Sequence, residues 1–529
     1  MKMTFTGAFA AALMLSAAQP SLAVERGGTL VYGRYADSLF LDPVLNDANV
    51  DIWVLSNLYD TLLLPTDDGQ GVQPGLATKW AVSADGKTVT LQLRPGAKFS
   101  NGRAITPDDV VWSLERAANP KEGIWNFLIS SIDKVVADGA DGVKIMLKHP
   151  DPAILQALTV FNTAVMPKAE FEAEPGTTDE AKAREFAKAP IGSGPFVLKD
   201  WVHGQSMTLV RNPYYWAEGS DGKPLPYLDS VVFKVVPDDA TRILQLQSGG
   251  LDGAEFIPYA RVQELKKMSG INMELYPSTR VEFVTLNVRD EVNGKPNPLA
   301  NPEVRQALNY ATNKQAIIQI VTHGVGSPMS SFMSSATPLH AGKGELFPYD
   351  LAKAKALMAK AGYAKGFSVP LLVLAGNQDE LSIGTLLQQM WGQVGVKLEL
   401  QQVDNATRTD AYRKGAFSMR LSAWTDDIAD PSEITSYFAY SPTIQALHSG
   451  WKNDTVDKLF VESQSQTDAA KRKEEYAKIQ EIFNATGPTV PLYQTPYPVA
   501  LRKDVHGFVQ IPLGNNIFRA AWVSKKASN

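Results

Sequence analysis

The sequence predicts an α/β protein, and three observations carry that reading. Strand-like and helix-like periodicities alternate along the 529 residues instead of separating into blocks. Several helix starts carry full capping chemistry. Hydrophobic residues make up 44% and charged residues 20% of the chain, which is the balance of a protein that buries a core.

The elements follow in order. Thr88 to Leu93 alternates, with Val89, Leu91 and Leu93 on one face and Thr88, Thr90 and Gln92 on the other. This predicts a half-buried strand, ended by Arg94-Pro95-Gly96. Thr106-Pro107-Asp108-Asp109 opens a helix: Thr106 caps, Pro107 suits the first position, and the carboxylates favour the positive end of the dipole. Its buried stripe is Val110, Val111, Leu114 and Ala117. Val231 to Val236, apolar except for Lys234, reads as an interior strand. Asn301-Pro302-Glu303 repeats the helix-start signal, with Val304, Leu308, Ala311, Ile318 and Val321 following at helical spacing. Asp350 caps Leu351 to Ala361, and Gly362 suits the left-handed stop. Lys471 to Phe483 is a late amphipathic helix.

Composition excludes several functions. Cys is 0, so there is no disulfide scaffold, thiol nucleophile, iron–sulfur cluster or Cys-ligated zinc. Lys and Arg number 51 against 56 Asp and Glu, without the basic excess of a nucleic-acid binder. The 6 His include no two within five residues, so no local metal pair forms. No phosphate loop or nucleophile elbow occurs, and no cofactor is expected.

The N-terminus reads as an export signal. Lys2 precedes an apolar stretch from Phe5 to Ala18, Pro20 breaks it, and Ser21-Leu22-Ala23 offers a cleavage site after Ala23. The apolar run is shorter than the ~20 residues a membrane span requires. A periplasmic protein without a membrane anchor is expected.

Five motifs then occur in order. Pro74 to Arg116 is the densest. Ile191-Gly192-Ser193-Gly194-Pro195-Phe196 and Arg211-Asn212-Pro213-Tyr214-Tyr215-Trp216 follow. Leu286-Asn287 with Val304-Arg305-Gln306-Ala307-Leu308 comes next, and then Trp424 to Pro431. Together they resemble the peptide/nickel class of bacterial extracellular solute-binding proteins, the receptors of ABC importers. Leu501 to Val505 and Pro512-Leu513-Gly514 resemble its dipeptide branch.

The resemblance implies a two-lobed periplasmic-binding-protein fold of three domains with a ligand cleft between the lobes. The expected division is 1–23 as leader, and 24–57, 190–278 and 500–529 as a discontinuous first domain. Residues 58–189 form an inserted domain, and 279–499 the opposite lobe. The function implied is capture of di- or oligopeptides and delivery to a permease with its ATPases, by a monomer that is not an enzyme. Within the class, an oligosaccharide, an opine or a metal chelate is the alternative ligand. A secreted hydrolase is the alternative outside it.

The implied site residues are few. Asp427 stands where the family's amine-binding Asp stands, and Trp424 would wall the pocket. Asp430, ahead of Pro431, reads as a turn former. The dipeptide branch carries an Arg for the ligand carboxylate in the segment matching Leu371 to Ser382, and this chain has none there. Arg280 and Arg420 are the remaining candidates for an anion. Arg420 alternates in phase with Ser422 and Trp424. Tyr32 and Tyr35 lie in the family's first cleft segment.

Overall fold

A computed structural model describes residues 24–46 and 48–524. The leader assigned to residues 1–23 lies outside the described residues. Three sheets organise the rest. A seven-stranded mixed sheet runs in the order Ile271–Tyr276, Tyr497–Arg502, Gly253–Ala254, Thr29–Arg34, Ser230–Val235, Ser206–Arg211, Phe196–Val202. An antiparallel four-stranded sheet, Ala77–Val82, Thr88–Leu93, Gly142–Leu147 and Ile132–Ala137, is inserted between its first and later strands. Both sheets share one continuous core, and together they form the first lobe. The second lobe is built on six strands in the order Ser327–Pro328, Thr489–Gln494, Val281–Leu286, Met419–Trp424, Phe367–Leu374, Val396–Val403. Separate cores cover its two faces.

Local chemistry explains the elements. The helix Pro107–Ala118 has a complete capping box: Asp109 N–H donates to Thr106 Oγ1, and the Asp109 carboxylate accepts from Thr106 N–H. The periodicity from Val304 to Val321 resolves into two helices, Pro302–Tyr310 and Lys314–Val321. Asn313 restarts the second by accepting from Ala316 N–H at 2.9 Å, a cap that outcompetes continuation of the first helix. Ser230–Val235 is an interior strand, but its burial alternates, so one face is only partly covered.

The motifs mostly serve the backbone. Gly192 and Gly194 run against the end of helix Asn49–Leu58, where an added Cβ would meet Leu58 O at 1.9 Å or Leu58 C at 2.6 Å. Only glycine permits that approach. Asn212 Nδ2 donates to Gly194 O at 2.8 Å. Arg305 is buried and donates to the carbonyls of Leu299, Ala300, Thr486 and Gly487.

Two strands cross between the lobes. Ile271–Tyr276 continues through 277–280 into Val281–Leu286, and Thr489–Gln494 continues through 495–496 into Tyr497–Arg502. The lobes meet in a closed arrangement. Gln70 Nε2 donates to Ala336 O at 3.1 Å, and Phe127 meets Tyr437 edge-on at 5.5 Å. Ile428, 1% exposed, sits in the first-lobe core although its chain neighbours belong to the second lobe.

Candidate functional site at the lobe junction

The strand Met419–Trp424 ends beside the crossings, since Trp424 pairs with Val281. The loop that follows is held from three sides. Asp426 N–H donates to Thr279 Oγ1 at 2.9 Å. The Asp426 carboxylate accepts from Thr337 Oγ1 at 2.6 Å and Trp424 Nε1 at 3.0 Å. Tyr497 OH bonds Thr425 Oγ1 at 3.1 Å. Asp426 is therefore a buried, hydrogen-bonded fastener, and burial pushes its carboxyl up to about 7.

Asp427 is the carboxylate this loop presents. It is half-buried, and among the described residues it forms no ion pair. Enclosure by protein raises its carboxyl to about 7, against the opposing effect of a hydrogen bond with Glu433. Trp424 packs on Tyr437 with the rings tilted at 46° and 4.8 Å apart, so the indole braces the loop through Nε1 and covers the adjoining aromatic core.

Asp430 does more than form a turn. It accepts from Ser432 N–H at 2.9 Å and binds Arg472 in a fork at 2.7 and 2.8 Å, fully inside the lobe.

Across the junction stands an aromatic wall. Tyr35 meets Phe256 edge-on at 5.0 Å, Trp53 stacks on Phe256 at 5.5 Å, and Phe256 meets Tyr497 at 6.2 Å. Phe256 holds φ +49°, a left-handed backbone that a bulky side chain rarely adopts. Tyr35 is half-buried, and burial raises its phenol to about 12. Arg280 lies on the first crossing, its side chain 32% exposed, paired with Glu282 at 2.5 Å. Burial works against its charge, and Glu282 together with Tyr259 and Tyr497 outweighs it. Tyr497 lies within electrostatic reach of both Arg280 and Asp427.

The structure thus brings Asp427, Trp424, Arg280 and Tyr35 to one junction. Two other candidates fall elsewhere. Tyr32 is 0% exposed in the first-lobe core, packed on Phe508, Phe518 and Phe233. The family resemblance placed it in the first cleft segment, but Thr29–Arg34 is an interior strand and residue 32 faces its packed side. Arg420 does share a face with Ser422 and Trp424. It sits near the far end of the strand, opposite Thr285 and Leu372, four residues or roughly 13 Å from Trp424. Its guanidinium covers the Tyr412 ring at 4.2 Å, and burial lowers its pKa.

Sequence reasoning did not find Trp53, Phe256, Tyr497 or Glu433. Glu433 looked like an ordinary acidic residue in a helix's first turn. The aromatic wall is assembled from segments more than 200 residues apart, and no local pattern marks it. A separate crevice, lined by Leu55, Tyr59, Asp60, Tyr215 and Arg519 among others, lies wholly within the first lobe and is not part of the junction.

Two α/β lobes joined by crossing strands, with a polar loop on one side and aromatic rings on the other, define a hinged solute receptor. The chain belongs to the bacterial extracellular solute-binding proteins, family 5, whose middle-region profile matches residues 71–446. Proteins of this family are ABC-importer receptors and not enzymes.

The chain is 29% identical over 502 residues to a probable D,D-dipeptide-binding periplasmic protein of Escherichia coli, covering 94% of each. It is 27% identical over 538 residues to a heme-binding protein of Haemophilus influenzae, covering 97% of this chain and 95% of the relative. The periplasmic binding protein of Helicobacter pylori solved with the peptide STSA superposes with a TM-score of 0.81 at 25% identity, covering 95% and 99% of the two chains. Among the described residues no helix is long and apolar enough to cross a membrane.

Proposed function

We propose that the junction receives a short peptide, with its ammonium at Asp427 and its carboxylate towards Arg280. The observation that carries this is Asp427 itself. A half-buried carboxylate with no cation among the described residues is costly, and a ligand ammonium removes that cost on closure. Tyr35, Trp53, Phe256 and Tyr497 supply surface for side chains while leaving ligand identity open. The relatives named for a D,D-dipeptide and for the peptide STSA support the peptide reading. The aromatic wall favours a second reading, a flat or sugar-like solute, and the heme-binding relative shows that the family is not confined to peptides.

The receptor works in this proposal as a periplasmic monomer released from its leader after Ala23, handing its load to a permease. Its three-domain division follows the expected bounds with one change. The last crossing is placed at 495–496, because the strand Tyr497–Arg502 pairs within the first sheet.

Calorimetry with di-, tri- and tetrapeptides tests the function. One site of micromolar or tighter affinity is expected, about −8 kcal/mol. Asp427→Asn is expected to cost ~2–5 kcal/mol for amine ligands and far less for their N-acetyl forms. Uniform silence with peptides, beside a heat signal from an oligosaccharide, overturns the peptide reading.

A further inference from the structure

Glu433 stands in the first turn of the helix Ser432–Phe438 and is 1% exposed. Its Oε2 accepts from Asp427 N–H at 2.8 Å and Ile428 N–H at 3.1 Å, so it shapes the loop that carries Asp427. Its Oε1 is buried with no hydrogen-bond partner. A buried carboxylate oxygen left unsatisfied is expensive. The Asp427 carboxyl lies within hydrogen-bonding reach of Glu433. Glu433 is buried and Asp427 half-buried beside it, and two carboxyls this close are costly to ionise together.

Among the described residues, the groups facing this pair supply no cation. Asp426 is satisfied by Thr337 and Trp424. Asp430 is neutralised by Arg472, with Asp151 reaching towards it from the inserted sheet's side. Tyr497 faces Asp427 from the crossing strand. Arg280 is committed to Glu282.

We propose that Glu433 is the second carboxyl of the amine subsite: in the empty receptor it and Asp427 hold one proton between them, and an incoming ammonium takes that proton's place. This rests on the peptide reading above. On binding, the carboxyl O–H bond breaks and the proton leaves to solvent. The ammonium then donates to two carboxylates. The site carries one net negative charge before and after, two carboxylates with one cation in either state. A neutral amide cannot make this exchange, so the pair selects free amines over blocked ones.

Infrared difference spectroscopy of the empty protein at mildly acid pH tests the shared proton without any ligand. Wild type minus Glu433→Gln should show the carbonyl stretch of a protonated carboxyl. Gln keeps an acceptor for the two backbone donors, and Asp427→Asn is a second variant that should lose the same band. A difference holding only carboxylate bands overturns the proposal.

Calorimetry with the tripeptide Ala-Ala-Ala in buffers of differing ionisation enthalpy tests the exchange. Roughly one proton should be released per peptide, with affinity rising up to about tenfold per pH unit over the range in which the pair holds that proton, and this range should shift in Glu433→Gln; an unshifted range shows Asp427 titrating alone and overturns the exchange. Binding of Ala-Ala-Ala without proton release overturns the exchange while leaving the peptide reading standing. A protonated-carboxyl band without binding of Ala-Ala-Ala overturns the peptide reading and the exchange with it.

Discussion

Asp60 is buried at the end of helix Asn49–Leu58, where Trp216 Nε1 donates to its Oδ2 at 2.5 Å. Burial raises its carboxyl to about 7, against partial offsets from Trp216, Arg519 and Arg94. The folded state therefore holds a proton that the unfolded chain has lost above about pH 4. The associated stability is complete below the unfolded value and is lost as pH rises towards 7, by a few kcal/mol at most. Asp60→Asn keeps the acceptor for Trp216 and should flatten this part of the pH profile in urea titrations; an unchanged profile would show that Asp60 is ionised throughout. Asp430 is a different case. Its fork with Arg472 is an internal ion pair, so Asp430→Asn strands a buried guanidinium and should cost ~3–5 kcal/mol. Read from sequence as a turn former, Asp430 gave no hint of this, because Arg472 lies 42 residues away on another helix.

At the scale of elements, capping made the sequence legible. Thr106, Asn301 and Asp350 each accept the backbone hydrogen bond that their position implied. Thr106→Ala should lower stability by ~1 kcal/mol. Asp109→Ala should lower it more, because that carboxylate also binds Arg103 and accepts from Lys168 N–H at 3.1 Å. Equal denaturation midpoints for the two variants would show that the cap alone matters. Local chemistry of this kind is written within four residues and can be read there. The split at Asn313 was missed because apolar spacing runs through it unbroken. The glycine and asparagine motifs lie away from the lobe crossings: Gly192, Gly194 and Asn212 make backbone contacts inside the first lobe, where the chain leaves the inserted sheet and enters the seven-stranded one. The site was legible only at Asp427, Trp424, Arg280 and Tyr35. Its remaining wall depends on which strand faces which, and Tyr32 shows that membership of a cleft segment does not say which face a side chain takes.

The whole molecule couples binding to closure through a small set of contacts. Apart from the crossings, the contacts between the lobes among the described residues include Phe127 with Tyr437, Gln70 with Ala336, Ile428 in the first-lobe core, and Asp151 near Asp430 and Arg472. Asp379 faces Asp239 of the other lobe: burial and that charge raise its carboxyl, and Arg280 and His323 partly offset them. These contacts leave the empty receptor poised, and a ligand shifts it by its differential affinity for the closed state. Small-angle scattering should show a smaller radius of gyration once a binding peptide saturates the site. Ile428 gives the sharper test. Its side chain is buried against the opposite lobe, so opening the hinge exposes it without unfolding either lobe. Ile428→Ala then removes burial from the closed state alone, of the order of ~2 kcal/mol or more. Peptide affinity should fall roughly 30-fold or more, since each ~1.4 kcal/mol is a factor of ten. The unfolding midpoint of the ligand-free protein should fall by less than that of the peptide complex, because a hinge-open receptor does not need that side chain buried. A large loss of ligand-free stability with unchanged affinity would instead make Ile428 a permanent core residue, and the junction a fixed interface.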